Sequence, residues 1–264
     1  MTAGSRNRSG VFVCPVRTNP DAVKLFCFPH AGGTAAFFFD LAQKLAPEVA
    51  CLCVQLPGRG ARLREEPHSS IAGIVGEVTN ALAQQSLDRP FAFYGHSFGG
   101  VVAFEVIRKL RTGAMPQPEH LFVGAAPPPQ DPTSDTPLHA LPESEFIEGV
   151  QLRYGGIPSA VLAEPDILRL LLPALRADLT AFETYRYQPS EPLACPVTAF
   201  VGVDDPVVSL ERSSGWRQHT SARFETIVLP GDHFFPRFSS EPLAQCLRAR
   251  LGCGMKGITE SRAV

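Results

Sequence analysis

A serine bracketed by glycines, Gly95-His96-Ser97-Phe98-Gly99, follows directly on the apolar run Phe91-Ala92-Phe93-Tyr94 and directly precedes a helix-like stretch from Gly100 to Leu110. A lone hydroxyl therefore falls at a turn from strand to helix. Such a turn is too sharp to accept a β-carbon at either glycine, and its strain lifts the serine hydroxyl clear of the sheet. The pentapeptide alone occurs by chance in many chains; its weight comes from the strand before it and the helix after it.

The rest of the chain repeats that alternation. Strands are expected at 24–28, 50–55, 91–95, 120–125, 196–201 and 224–229, with helices at 35–46, 70–86, 99–112, near 209–218 and near 238–251. Strands separated by helices of this length imply right-handed crossovers and a mainly parallel sheet covered on both faces. With the serine turn, this is the pattern of the α/β-hydrolase fold, expected as a single domain over 1–264. One interruption stands out. Proline recurs at 127, 128, 129, 132, 137 and 142, which marks a stiff, extended connection, and residues 143–185 beyond it hold two or three helix-like pieces and no strand. The last runs from Ile167 through Leu175, Leu179 and Phe182. A helical insertion at about 131–190 is expected to cover Ser97 as a lid, its apolar face forming a chamber, with Gly155-Gly156 and Pro158 as bending points. The alternative is that this helix packs on the main core.

A hydroxyl needs a base to take its proton, and in this fold the order is serine, acid, histidine. The strand at 196–201 runs into Val203-Asp204-Asp205-Pro206, and the strand at 224–229 into Pro230-Gly231-Asp232-His233-Phe234-Phe235. Both loops leave the carboxyl edge of a parallel sheet, where sites of open α/β sheets form. His233 is the candidate base. Asp205, before a proline that stiffens the turn, is preferred over Asp204 as its partner, while Asp232 reads as a turn residue. His68, His120, His139 and His219 lie in polar or proline-bounded stretches and are expected at the surface; His96 should point away from the serine.

Acyl chemistry at Ser97 also needs donors for a negative oxygen. One is the N–H of Phe98, after the nucleophile; the other is assigned to Ala31 in Pro29-His30-Ala31-Gly32-Gly33, the turn after the strand at 24–28. Arg59 and Arg62, in Pro57-Gly58-Arg59-Gly60-Ala61-Arg62, could meet a phosphate, but a solvated loop arginine paired with a nearby carboxylate is the favoured reading.

A net charge of −2 and the absence of a basic stripe exclude a polyanion-binding surface, so no nucleic acid is expected. No run reaches the roughly 18 to 20 apolar residues of a membrane span, and the polar first 20 residues lack a signal-peptide core, so a cytoplasmic protein without membrane association is expected. Among seven cysteines, Cys27, Cys51 and Cys53 fall in apolar strands and read as reduced, buried thiols. Cys51-x-Cys53 has no second pair at zinc spacing, so neither metal nor cofactor is expected. Residues 252–264 read as a frayed tail.

Taken together, Pro29-His30-Ala31-Gly32-Gly33, Gln55-Leu56-Pro57-Gly58-Arg59, Gly95-His96-Ser97-Phe98-Gly99, Gly202-Val203-Asp204-Asp205-Pro206 and Gly231-Asp232-His233-Phe234-Phe235 resemble the blocks of a type II thioesterase, in order and from about residue 22 to about 250. The resemblance implies hydrolysis of acyl thioesters on the phosphopantetheine arm of acyl carrier proteins or peptidyl carrier domains, clearing stalled or misprimed chains from polyketide and nonribosomal peptide synthases. It implies Ser97, Asp205 and His233 as the triad and Ala31 and Phe98 as the oxyanion donors. A carrier domain is expected to meet the lid opening, and a monomer is expected. A carboxylesterase or lipase, an acyltransferase and a noncatalytic hydrolase-like binding protein remain as alternatives.

Overall fold

Short apolar runs separated by stretches of helical periodicity become strands and crossovers in the computed structural model, which describes residues 10–131 and 136–252. The strands are β1 (Phe12–Val13), β2 (Val23–Phe28), β3 (Val49–Val54), β4 (Phe91–His96), β5 (His120–Gly124), β6 (Val197–Gly202) and β7 (Phe224–Leu229). They make one sheet in the order β1-β3-β2-β4-β5-β6-β7, in which β1 runs antiparallel to β3 and all other neighbours are parallel.

Parallel neighbours require crossovers, and those here clothe both faces. Helices α1 (Phe39–Leu45) and α8 (Ser240–Arg250) cover one side, α2 (Ile71–Leu82) and α3 (Phe98–Thr112) the other. Successive β2 residues point alternately into the two layers. Phe26 and Phe28 meet α2 and α3, Leu25 and Cys27 meet α1 and α8, and all four are buried, which is why the strand reads as a continuous apolar run. Ser70 caps α2 by accepting a hydrogen bond from the Gly73 N–H at 3.2 Å.

Between β5 and β6 the chain leaves the sheet and forms α4 (Glu143–Tyr154), α5 (Ser159–Leu162) and α6 (Pro165–Glu183). These helices bury a cluster of their own, including Phe146, Val150, Leu172 and Leu179. The end of α6 is fastened by Glu183, whose carboxylate accepts the N–H groups of Leu138 and His139 at 2.9 Å each. Arg176, on the same helix, donates to the carbonyls of His139 and Leu141 at 2.6 and 2.8 Å.

Several boundaries differ from expectation. The helix expected at 35–46 opens with a 3-10 turn, Ala35–Phe38, the helix expected over 70–86 ends at Leu82, and the one near 209–218 divides into α7 (Leu210–Ser214) and a 3-10 turn, Gly215–His219. β1 is too short to carry any periodicity. Of the histidines expected at the surface, His120 and His219 are buried. The His120 ring stacks on Phe122 and bonds the Thr198 hydroxyl at 2.9 Å, while His219 bonds Gln130 and packs edge-on against Phe104 and Trp216. Each found a polar partner inside, so the polar neighbours in sequence misled. His68 and His139 are partly exposed, beside Glu77 and Glu183.

Cys27, Cys51 and Cys53 are buried free thiols. Among the described residues no helix is long and apolar enough to cross a membrane. Residues 1–9, Pro132 and residues 253–264, on which the leader, proline-run and tail readings partly rest, lie outside the described residues.

Candidate active site

β4 and α3 meet at Ser97, whose φ of 53° and ψ of −122° are those of a strained turn. The turn is held by the Ser97 N–H on the Gly124 carbonyl at 2.8 Å and the Gly100 N–H on the Ser97 carbonyl at 2.9 Å. A β-carbon on Gly95 would stand 2.3 Å from the Gly99 carbonyl oxygen, and one on Gly99 would stand 2.2 Å from that of Phe28. Crowding against backbone therefore demands both glycines.

β6 delivers Asp205. Its carboxylate is buried and accepts the N–H groups of Val207 and Val208 at 2.8 and 3.1 Å, whereas Asp204 is exposed. β7 delivers His233 through a loop that presses on the end of β6: a β-carbon on Gly202 would lie 2.3 Å from the Asp232 carbonyl oxygen. Asp232 accepts the Phe234 N–H at 2.7 Å and shapes that loop as a turn residue.

His233 Nδ1 stands 3.0 and 3.1 Å from the two Asp205 oxygens, and its Nε2 stands 2.9 Å from Ser97 Oγ. An ionised carboxylate only accepts, so Nδ1 carries the proton and Nε2 turns its lone pair to the serine hydroxyl. Proton abstraction from Ser97 needs no rearrangement.

Two further histidines line this centre. His96 Nε2 lies 2.8 Å from the His233 carbonyl oxygen, which can only accept, so Nε2 carries a proton; the Tyr94 hydroxyl faces Nδ1 at 3.3 Å. His30 Nδ1 likewise donates to the Ala31 carbonyl at 2.9 Å. Burial pushes the His96 imidazole well below its ordinary range and that of His30 down to about 3. Both stay neutral and serve as donors.

Ala31 and Phe98 line the cavity with Ser97. Phe98 opens α3, where a helix leaves its N–H groups without intrahelical partners. Nearby amides are spent: that of Gly32 on Asp178 Oδ2 at 2.7 Å, that of Gly33 on the His30 carbonyl at 2.9 Å. The cavity, about 580 Å³, runs from Ser97 and His233 to a largely apolar wall of Val150, Tyr154, Leu168, Leu172, Leu175 and Phe182 from α4 and α6. Arg237, exposed, lines the cavity and sets its guanidinium 4.9 Å from the Phe234 ring centre and 5.9 Å from that of Phe37.

Arg59 and Arg62 each pair with carboxylates, yet neither is solvated. Arg59 is buried against Asp178 of α6, with Nη2 to Oδ1 at 2.8 Å, and Arg62 is buried between Glu65 and Glu77. The loop after β3 folds under α6, which shields the Arg59 guanidinium, while Arg62 turns to Glu77 of α2 and to the Gln55 carbonyl. Asp178 went unnoticed in the sequence, although a lone carboxylate on the helical stripe Leu171, Leu175 and Phe182 is itself a signal of a buried partner.

A family model described as Thioesterase domain matches residues 23–251. Linear gramicidin dehydrogenase LgrE of Brevibacillus parabrevis is 38% identical over 240 residues, 90% of each chain. Thioesterase PikA5 of Streptomyces venezuelae is 38% identical over 229 residues, 86% of this chain and 80% of the other. Among solved structures, the RedJ thioesterase of the prodiginine pathway in Streptomyces coelicolor superposes with a TM-score of 0.81 at 37% identity, covering 89% of this chain and 88% of that one. The architecture is the α/β-hydrolase fold.

Proposed function

The chain belongs to the thioesterase family, and on that premise we propose that Ser97, His233 and Asp205 hydrolyse acyl thioesters borne on the phosphopantetheine arm of acyl carrier proteins or peptidyl carrier domains. The observation that carries the reading is the unbroken hydrogen-bond chain from Ser97 Oγ through His233 to Asp205, opening into an apolar chamber. His233 Nε2 takes the Ser97 proton as Oγ attacks the thioester carbon, while Asp205 holds the imidazole tautomer and offsets its charge. The developing oxyanion is received by the N–H groups of Phe98 and Ala31. Collapse breaks the carbon–sulfur bond, His233 returns the proton to the departing thiolate, and an acyl-serine remains. Water, activated by His233, then attacks it and releases the free acid and the regenerated serine.

Helices α4 to α6 act as the lid and hold the acyl chain; the arm enters past Arg237, and a carrier domain sits outside that opening. In this role the enzyme clears stalled or misprimed chains from polyketide or nonribosomal peptide synthases. The buried free thiols Cys27, Cys51 and Cys53 suit a reducing compartment, and a cytoplasmic monomer is proposed. Hydride transfer, the reaction that the name of LgrE suggests, makes no use of a serine bonded to histidine, so that bond favours acyl transfer. Oxygen-ester hydrolysis would use the same groups; family membership favours the thioester.

Intact mass spectrometry of a panel of acylated carrier proteins, before and after incubation, tests the proposal. Loss of the acyl mass with release of free acid is expected. Retention of every acyl group, with hydrolysis of matched oxygen esters, would replace it with an esterase.

A further inference from the structure

A buried ion pair is rarely kept for stability, since removing each charge from water costs several kcal/mol and well-packed apolar replacements are often neutral or better. Arg59 and Asp178 are each 1% exposed, and they join the loop after β3 to α6. Their other contacts indicate a purpose. Asp178 Oδ2 accepts the Gly32 N–H at 2.7 Å, and the carbonyl of the same peptide unit, that of Ala31, accepts from His30 Nδ1 at 2.9 Å. The Ala31–Gly32 peptide plane is thus clamped at both polar atoms. Beyond it, Arg59 Nη1 reaches the Gly33 carbonyl at 3.4 Å, and the Arg59 carbonyl accepts from Gln55 Nε2 at 3.1 Å while Gln55 Oε1 accepts the Ala35 N–H at 3.1 Å. Leu175, one turn before Asp178, packs 3.0 Å from where a Gly32 β-carbon would stand.

The geometry points to Asp178, held in place by Arg59, as the positioning residue that fixes the Ala31–Gly32 peptide and, through the Ala31 Cα which that peptide shares with the His30–Ala31 peptide, steadies the Ala31 N–H that receives the oxyanion. The inference rests on the acyl-transfer reading of Ser97. An oxyanion donor works only when it stands about 2.7–3.1 Å from the site of the developing charge, and a turn left loose on the far side of Ala31 would lose that aim. Asp178 touches no reacting atom; it acts through the Gly32 amide it holds, one peptide on from the donor.

The test is the double variant Arg59→Met/Asp178→Leu, which removes both charges and leaves none buried alone. It should still fold, melting several degrees lower because the Gly32 N–H and Gly33 carbonyl lose their partners, and kcat on an acyl-pantetheine thioester should fall about 10- to 100-fold with KM within about threefold, as expected when a transition-state donor is misaimed. An alkyl boronic acid, which forms a tetrahedral adduct on Ser97, should lose affinity by a similar factor, while a non-hydrolysable acyl-pantetheine thioether should bind as before. A folded double variant with native kcat, or with reduced kcat but native boronate affinity, overturns the inference. If the double variant does not fold, Asp178→Glu decides: it keeps the charge beside Arg59 but displaces the carboxylate from Gly32, so lost kcat and weaker boronate binding support the inference and native values overturn it. A native protein inactive on every acyl thioester would defeat the thioesterase reading instead, and the inference with it.

Discussion

His96 Nε2 donates to the backbone carbonyl of His233 at 2.8 Å, so the residue preceding Ser97 anchors the main chain of the residue that faces the serine hydroxyl. The bond spans the gap between the end of β4 and the loop after β7. His96→Leu removes the donor and strands a buried carbonyl, at a cost of about 1–3 kcal/mol. A melting temperature lower by several degrees and a kcat reduced about tenfold, with KM little changed, are expected from thermal melts and steady-state kinetics.

The adjacent aspartates give a sharper comparison. Asp205→Asn would leave the loop in place but favour the wrong imidazole tautomer, and kcat should fall on the order of 10⁴-fold. Asp204→Asn changes an exposed side chain and should leave kcat within about twofold. Ser97→Ala should fold normally and fail to turn over an acyl-pantetheine thioester. Equal losses in the two aspartate variants would contradict the assignment to Asp205.

Much of this site was legible in the sequence because it is built from local rules. Glycines around Ser97 answer to backbone crowding within one turn, and Asp205 and His233 each follow a readable strand. Fold class followed from the alternation of strand and helix. Contacts between distant elements were not legible in the same way. Asp178 lies 119 positions from Arg59, and only the packing of α6 over the turn at Ala31 brings them together. His120 and His219 looked solvated because their sequence neighbours are polar, yet His120 is folded against Phe122 and the Thr198 hydroxyl, and His219 against Phe104, Trp216 and Gln130. The short β1 carries no pattern to read.

Acid should weaken the fold in a defined window. Burial pushes His120 and His219 down to about 4 from an ordinary 6.5. As pH falls through 6.5 the unfolded chain gains protons that the folded protein refuses, so the stabilising preference, complete above 6.5, is lost between about 6.5 and about 4. Glu225, held down to about 2 by Arg250, adds a second loss as pH falls below its ordinary 4.5. Melting temperature measured across this range should decline steeply below pH 6.5, and His120→Phe should make the decline shallower. A flat profile from 6.5 to 4 would show that these rings are protonated in the folded state.

Chamber size offers a test of the lid. Leu168 is partly buried and lines the same cavity as Ser97. Leu168→Trp should fill space the acyl chain needs, raising KM for long acyl-pantetheines about tenfold or more while short ones are hydrolysed at native rates. Equal effects on short and long chains would mean that α6 does not hold the acyl group.

A variant at Arg237 tests whether carrier-borne and small substrates are told apart at the cavity edge. Its guanidinium rests on Phe234 and Phe37 at the cavity edge, where the rings hold it in position and leave its charge exposed to an approaching anion. A phosphopantetheine arm carries a phosphodiester that a simple acyl thioester lacks. Arginine meets such a group with paired N–H donors, worth about 1.5–3 kcal/mol for a hydrogen bond to a charged partner. Arg237→Glu should therefore raise KM for an acylated carrier protein at least tenfold at low salt, with the gap from the native enzyme narrowing as salt is added, while kcat and KM for an acyl-N-acetylcysteamine thioester stay within about twofold. The salt dependence matters because a phosphate contact is screened by ions whereas loss of packing on Phe37 and Phe234 is not. If both substrates weaken alike, Arg237 supports the rings and the phosphate enters elsewhere.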